Sequence, residues 1–146
     1  MAFVRAWKER GLRHLAPVAA ELVTGRIARP DVDVITWIPP NPVRQLRRGV
    51  HPAEALAYEL AGSWGLPAER LLRRTREAGR QAALGGVRRA GNVRGAFAPT
   101  GDPPPRVLLV DDVYTTGSTA AAAASALRRD AAREVSVVTF ARANRS

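Results

Sequence analysis

The residue types best suited to chemistry lie in one run, VLLVDDVYTTGST at positions 107–119. Four aliphatic residues in succession, Val107, Leu108, Leu109 and Val110, suit a strand covered on both faces, as in a parallel sheet. Asp111 and Asp112 then stand at the carboxyl end of that strand. Thr115, Thr116, Gly117, Ser118 and Thr119 follow, and turn the chain into a helix predicted over about residues 120–129. A helix start aims several backbone N–H groups and the positive end of its dipole at the preceding loop, which is the chemistry of a phosphate site. Ionised carboxylates only accept hydrogen bonds, so the acidic pair suits the two hydroxyls of a ribose and not a second phosphate. Acidic residues ending a strand before a Thr/Gly turn also serve as helix caps. The contiguous order of the whole run favours the ligand reading.

These side chains need a frame, and hydrophobic spacing along the chain describes one. In residues 3–23, Val4, Trp7, Leu12, Leu15, Val18, Ala19 and Leu22 recur at mostly helical spacing, interrupted by Gly11 and Pro17, which predicts two short helices. Residues 32–38 read as the first core strand. It ends at Pro39, Pro40, Asn41 and Pro42, a rigid loop that cannot continue a sheet. Pro52 suits the first turn of a helix with Ala53, Leu56, Ala57, Leu60 and Ala61 on one side, stopping between Gly62 and Gly65. Residues 69–76 fit either a strand or a continuing helix, and residues 77–92 are polar, basic and glycine-bearing. Gly95, Ala96 and Phe97 suit a short strand, and residues 135–140 a last parallel one. This alternation predicts a single-domain α/β fold with a parallel sheet, right-handed crossovers, helices on both faces and a ligand site at the carboxyl ends of the strands.

Composition narrows the classes of function. A chain of 146 residues with 46% hydrophobic content can bury one substantial core. Cysteine is absent, which excludes disulfides and thiolate metal sites. No apolar run approaches the roughly 20 residues of a membrane span, and MAFVRAWKERG lacks the apolar core of a secretory signal, so a cytoplasmic location is expected. The formal net charge is +10, and all but one of the 23 basic residues are arginine. Arginine meets phosphate with a planar two-pronged geometry, so the excess fits polyanionic ligands; a genome of biased base composition produces the same excess.

Residues 107–119 resemble the phosphoribosyl pyrophosphate (PRPP) signature of type I phosphoribosyltransferases. Other segments resemble the ComF/GntX-like competence-protein branch of that family. Trp7-Lys8-Glu9-Arg10-Gly11 is similar to its aromatic-Lys-x-x-Gly opening, and Ile38-Pro39-Pro40-Asn41-Pro42 to its proline-rich loop. Leu46-Arg47-Arg48-Gly49 with Ala53-Glu54-Ala55-Leu56-Ala57 resembles its Arg-Gly-Phe-Asn-Gln-Ala-Glu-Leu-Leu-Ala box, and Gln81 with Asn92-Val93-Arg94-Gly95-Ala96-Phe97 keeps its Gln-to-Asn separation. Val50-His51-Pro52 departs from the box by removing two amide side chains, Ala78 stands where a Thr is usual, and the Cys-rich zinc module common in this branch is missing. His51 itself reads more readily as a helix-start residue than as a catalytic group.

The resemblance implies a type I phosphoribosyltransferase fold over residues 1–146, with an N-terminal helical segment at 1–25 and a flexible hood at 73–92. It implies that Asp111 and Asp112 hold the ribose hydroxyls of PRPP, and that Thr115, Thr116, Gly117, Ser118 and Thr119 hold its 5′-phosphate. Pyrophosphate would meet Pro40, Asn41, Arg44, Arg47 and Arg48 after the first strand, and Arg76, Gln81 and Arg89 in the hood. Mg²⁺ would arrive with PRPP, bridging its oxygens and keeping several waters, with no direct protein ligand. Two functions stay open: transfer of ribosyl-5-phosphate to an unidentified acceptor, and a non-catalytic PRPP-binding component of DNA uptake that contacts single-stranded DNA. A homodimer is a further expectation.

The loop also carries an expectation about the acceptor. In the phosphoribosyltransferases that act on hypoxanthine and guanine, the third residue after the second acid is typically an aspartate that takes a proton from the base; here it is Thr115. A threonine hydroxyl is a poor base near neutral pH, and the neighbouring Tyr114 phenol, with a pKa of about 10, is largely protonated there. Negligible nucleotide formation from hypoxanthine or guanine is therefore expected in a radiolabelled-base assay. Robust turnover of either base that is lost in Thr115→Val would contradict this reading.

Overall fold

The computed structural model describes residues 15–41, 51–75, 95–114 and 117–142. Helix α1 spans Leu15–Thr24, strand β1 Val34–Trp37, and helix α2 Pro52–Trp64. Strands β2, Leu72–Arg74, and β3, Phe97–Pro99, come next, followed by β4, Arg106–Tyr114, helix α3, Ser118–Asp130, and β5, Glu134–Arg142. The first part of the predicted N-terminal helical pair, residues 3–14, lies outside the described residues.

Strand β4 is the centre of a parallel sheet ordered β1-β4-β5. Its aliphatic run is buried on both faces as predicted, with Val107, Leu109 and Val110 at 0% exposure and Leu108 at 2%. Leu108 and Val110 join Ile35, Trp37 and Val138 in a core beneath α1 and α2. Val107 and Leu109 join Val34, Ile38, Val135 and the alanine face of α3 on the opposite side. Burying four aliphatic side chains contributes roughly 6–12 kcal/mol before chain entropy is counted.

The register of β1 against β4 is fixed at their amino ends. The Asp33 carboxylate accepts from the Arg106 backbone N–H at 2.9 Å and from its guanidinium at 2.9 Å, while the Asp33 N–H donates to the Arg106 carbonyl at 2.9 Å. Asp31 adds a second carboxylate at 2.5 Å from the same guanidinium. With these groups in place, Val34 stands opposite Val107 and Trp37 opposite Val110. A one-residue slip would send each aliphatic side chain to the wrong face.

The other side of β1 is also occupied. Ile35 N–H donates to the Pro67 carbonyl at 2.9 Å and its own carbonyl accepts from Glu69 N–H at 3.0 Å. Thr36 is fully buried, and its hydroxyl accepts from the Leu71 N–H at 3.2 Å. Leaving that buried donor unpaired would cost about 1–3 kcal/mol. Within residues 69–76, ambiguous by pattern, Leu72–Arg74 form a strand, and this β2 pairs antiparallel with β3. The described sheet is therefore parallel with a separate two-stranded antiparallel ribbon beside it.

Helix α2 follows its sequence signals closely. Pro52 opens it, Nδ1 of His51 accepts from the Glu54 N–H at 3.3 Å as the N-cap, and Gly65 closes it at φ +62°. Arg29 sets its Nε 2.7 Å from the Trp64 carbonyl, a cation at the negative end of the helix. Helix α1 departs from expectation. Its buried stripe is Ala16, Ala19, Ala20 and Val23, whereas Val18 and Leu22, read as periodic core positions, are 43% and 45% exposed. Small side chains let α1 approach α2, which presents Ala53, Ala57 and Ala61 on its own buried side, so the alanines face inward and the larger residues outward.

The Asp33–Arg106 pair carries a pH signature. Hydrogen bonds from the Arg106 side chain, and then from its backbone N–H, hold the Asp33 carboxyl below its ordinary range. A lowered native value stabilises the fold above the ordinary carboxylate range near about 4, and this contribution fades as pH falls through the native value. Chemical denaturation of wild type and Asp33→Asn across the acid range is expected to show a gap at neutral pH that closes at low pH. A gap independent of pH would contradict the electrostatic account.

Candidate functional site

The site is assembled where strands end. Beyond the buried run, β4 continues through Asp111 and Asp112 to Tyr114, so both carboxylates are carried by the strand itself. On one side Asp111 stands opposite Thr139 of β5. On the other, Ile38 N–H donates to the Val110 carbonyl at 3.0 Å, so the chain leaves β1 for Pro39 and Pro40 immediately beside the acidic pair. The acidic pair and the proline loop therefore sit on neighbouring strands, about 4.8 Å apart by sheet spacing.

The two carboxylates are not equivalent. Side chains alternate along a strand, so Asp111 falls in the row of Val107 and Leu109, on the α3 side, and Asp112 in the row of Leu108 and Val110, on the side of α1 and α2. Both are half-buried. Asp111 Oδ1 also accepts from the Asp112 backbone N–H at 2.8 Å, which fixes its rotamer and uses one of its acceptor positions. The sequence alone does not show this inequality, because it follows from the strand continuing past residue 110.

Helix α3 begins beyond the acids in the predicted place, two residues earlier than its pattern suggested. Gly117 is its N-cap at φ +78°, a left-handed conformation that glycine adopts at low cost. Gly117 itself has no side chain with which to cap this end, and the first turn contains no acidic residue. Ser118 is half-buried and Thr119 exposed. Helix α2, by contrast, has both a side-chain cap and Glu54 in its first turn. The positive end of α3 is thus left without a carboxylate of its own helix, while Arg128 and Arg129 complement its negative end. Thr115 and Thr116 lie outside the described residues.

The loop after β1 has a partner that sequence reasoning missed. Pro39 is buried, and Pro40 and Asn41 are half-buried. The Arg74 Nε lies 3.0 Å from the Pro39 carbonyl and 3.0 Å from that of Pro40, and the guanidinium sits 5.0 Å from the centre of the Phe97 ring. Thr75 seals the ribbon beside it, with its N–H 2.9 Å from the Ala96 carbonyl and its hydroxyl 2.6 Å from that of Gly95. Nothing in the sequence separates Arg74 from Arg70, Arg73 and Arg76, because its role depends on pairing with a strand more than twenty residues away. The remaining candidates Arg44, Arg47, Arg48, Arg76, Gln81 and Arg89 lie outside the described residues. Among the described residues no group of three or more His, Cys, Asp or Glu side chains forms a candidate metal cage, and no helix is long and apolar enough to cross a membrane.

No protein-family model and no curated protein matches the sequence. Solved structures do match its fold. The chain superimposes on glutamine PRPP amidotransferase from B. subtilis, complexed with ADP and GMP, with a TM-score of 0.61 and 22% identity, over 88% of this chain and 26% of that one. It matches PRPP synthetase from Mycobacterium smegmatis with a TM-score of 0.52 and 24% identity, over 85% of this chain and 33% of that one. It matches orotate phosphoribosyltransferase from Aeropyrum pernix with a TM-score of 0.51 and 18% identity, over 92% of this chain and 73% of that one. The chain spans only a fraction of the first two proteins, so the likeness concerns a domain of each. The parallel sheet, the helices on its two faces and the acid-bearing central strand together have the type I phosphoribosyltransferase fold.

Proposed function

We propose that this chain binds PRPP and transfers its ribosyl-5-phosphate group to an acceptor. The observation that carries the proposal is the order of groups at the end of β4: two half-buried carboxylates, then a glycine-capped helix start with no acidic side chain in its first turn. On this reading Asp111 and Asp112 accept hydrogen bonds from the ribose hydroxyls. Thr115, Thr116, Gly117, Ser118 and Thr119 surround the 5′-phosphate with backbone N–H and hydroxyl donors. The pyrophosphate end extends toward Pro40 and Asn41 and toward the arginines Arg44, Arg47, Arg48, Arg76 and Arg89, with Gln81.

In the reaction the bond between the anomeric carbon and pyrophosphate breaks, the pyrophosphate leaves with the electron pair, and a nucleophilic atom of the acceptor bonds to the same carbon. Cations near the leaving group stabilise its developing charge. Mg²⁺ would supply further positive charge when it arrives with PRPP, whose oxygens suit a hard cation that keeps much of its water.

The finer reading, a ComF-type domain of the competence branch, rests on the segments Trp7 to Gly11, Leu46 to Ala57 and Gln81 to Phe97, and its acceptor is undefined. Gripping of single-stranded DNA is less favoured by the described aromatic residues. Single-strand binders stack bases on exposed rings, whereas Trp37, Trp64 and Phe97 are buried and Tyr58, 52% exposed, leans on Trp37 with ring centres 5.3 Å apart.

Isothermal titration with PRPP and Mg²⁺ tests the assignment. Asparagine variants are the informative ones, because Asn at position 111 retains an oxygen for the Asp112 N–H while losing the charge. Each of Asp111→Asn and Asp112→Asn is expected to weaken binding by about tenfold or more, since charge-assisted hydrogen bonds contribute roughly 1.5–3 kcal/mol each. Unchanged affinity in both folded variants would remove the ribose assignment. Pyrophosphate release screened across nucleobases and other nucleophiles would then separate transfer from binding alone.

A further inference from the structure

The two edges of the parallel sheet are not alike. At the β1 edge, Ile35 makes backbone hydrogen bonds to Pro67 and Glu69, and the Thr36 hydroxyl accepts from the Leu71 N–H, so that side is closed. At the other edge β5 runs for nine residues, Glu134–Arg142, with β4 along one side only among the described strands. Two hydrogen bonds give the direction of its backbone groups. Glu134 donates its N–H to the Pro105 carbonyl at 3.0 Å, on the β4 side, whereas the Val135 carbonyl accepts from Arg128 Nη2 of α3 at 3.3 Å. Successive residues of a strand turn their N–H and C=O groups to opposite sides, so Val135, Val137 and Thr139 face the outer edge. Among the described residues, no group bonds to Val137 or Thr139 at that edge.

Proteins blunt a lone edge with proline, lysine, a bulge or a very short strand. Residues 135–141, VSVVTFA, contain no proline, glycine or charge, and four of the seven are β-branched, which suits them to pairing. Ser136 is exposed, and Val137 is 42% exposed. Charge returns only at the ends of the strand, glutamate at 134 and arginine at 142. This pattern is self-complementary. With two copies antiparallel about Val138, residue 134 of each stands opposite residue 142 of the other, Val135 opposite residue 141, and Val137 opposite Thr139. Outward-facing residues then meet outward-facing residues, the condition for hydrogen-bonded antiparallel pairs, and Val138 meets its own copy in the intervening kind. Shifting the pairing by two residues keeps the hydrogen bonds but separates the opposite charges. The Val135 carbonyl has a second lone pair for this pairing beside Arg128.

We propose that two copies of this chain join through β5, antiparallel about a two-fold axis at Val138, so that their sheets become one continuous sheet. The join covers Val137 and supplies the outward N–H and C=O groups of Val137 and Thr139 with partners. Because residues 67–71 occupy the β1 edge, a β5 edge meets another β5 edge, and the pairing closes at two copies with no open filament. The proposal stands independently of the PRPP reading, since it draws on the backbone of β5 and the charges at its ends.

Sedimentation equilibrium of the full chain at low salt tests the proposal, and wild type is expected to dimerise. Val137→Pro removes an N–H that points away from β4, so it blocks the join while leaving the β4–β5 ladder intact, and Val137→Lys places a charge at the join. Both variants are expected to be monomeric. Thermal melting confirms that they are folded, and Val137→Lys serves where Val137→Pro does not fold. Glu134→Arg and Arg142→Glu each set like charges against one another at both ends of the pairing. Each is expected to weaken dimerisation about tenfold, since two symmetry-related pairs are lost together. The double variant restores opposite charges and is expected to return to within about threefold of wild type. Wild type that stays monomeric at millimolar concentration would overturn the proposal. A dimer that survives both changes at position 137 would overturn it too, by placing the interface elsewhere. A dimer lost on changing Val137, but no stronger in the double charge variant than in the single ones, would overturn the two-fold axis at Val138.

Discussion

Strand β4 must be dry on both faces, and the remaining elements are arranged to keep it so. Two helices cover one side, a third covers the other, and a parallel neighbour lies along each edge. The same constraint creates the site. A strand so enclosed can carry polar groups only where the covering layers end, and Asp111 and Asp112 stand at that boundary, half-buried after four fully enclosed residues. A slip in the strand would exchange apolar and acidic positions, so the Asp33–Arg106 clamp at the amino end of the sheet protects the chemistry at its carboxyl end.

The division of polar groups follows from this arrangement. At the amino ends, carboxylate and guanidinium satisfy one another and set register. At the carboxyl ends, the negative charge of Asp111 and Asp112 lies next to a helix start lacking acidic residues, and next to a loop whose carbonyls are turned toward Arg74. Acceptors and donors are thus grouped on adjoining elements, as a ligand with both hydroxyls and phosphates requires. Helix α2 is self-sufficient by comparison, capped by His51 at one end and by Gly65 at the other.

Much of this was legible in the residues. Four aliphatics before two acids specify a covered strand with polar groups at its end, and Pro52 and Gly65 delimit α2 through backbone rules that need no tertiary information. The misreadings arise where tertiary contact decides. Val18 and Leu22 share helical spacing with Ala19, yet the close approach of α1 to α2 selects the alanines for burial. Residues 70–74 carry only two adjacent leucines, Leu71 and Leu72, among arginines, too little pattern to separate strand from helix until Phe97 pairs with Arg74. The unequal placement of Asp111 and Asp112 depends on β4 running on to residue 114, and the role of Arg74 on carbonyls 34 and 35 residues away in sequence.

The most direct test of the account is residue-resolved nuclear magnetic resonance of the ¹⁵N-labelled chain titrated with PRPP and Mg²⁺. The amide signals of Asp111, Asp112, Gly117, Ser118 and Thr119 are expected to shift together and saturably, followed by Asn41, while those of Asp33, Arg106 and Val135 at the amino ends of the strands stay in place. Shifts confined to the amino ends, or no saturable change at the carboxyl ends at millimolar ligand, would contradict the assignment of this site.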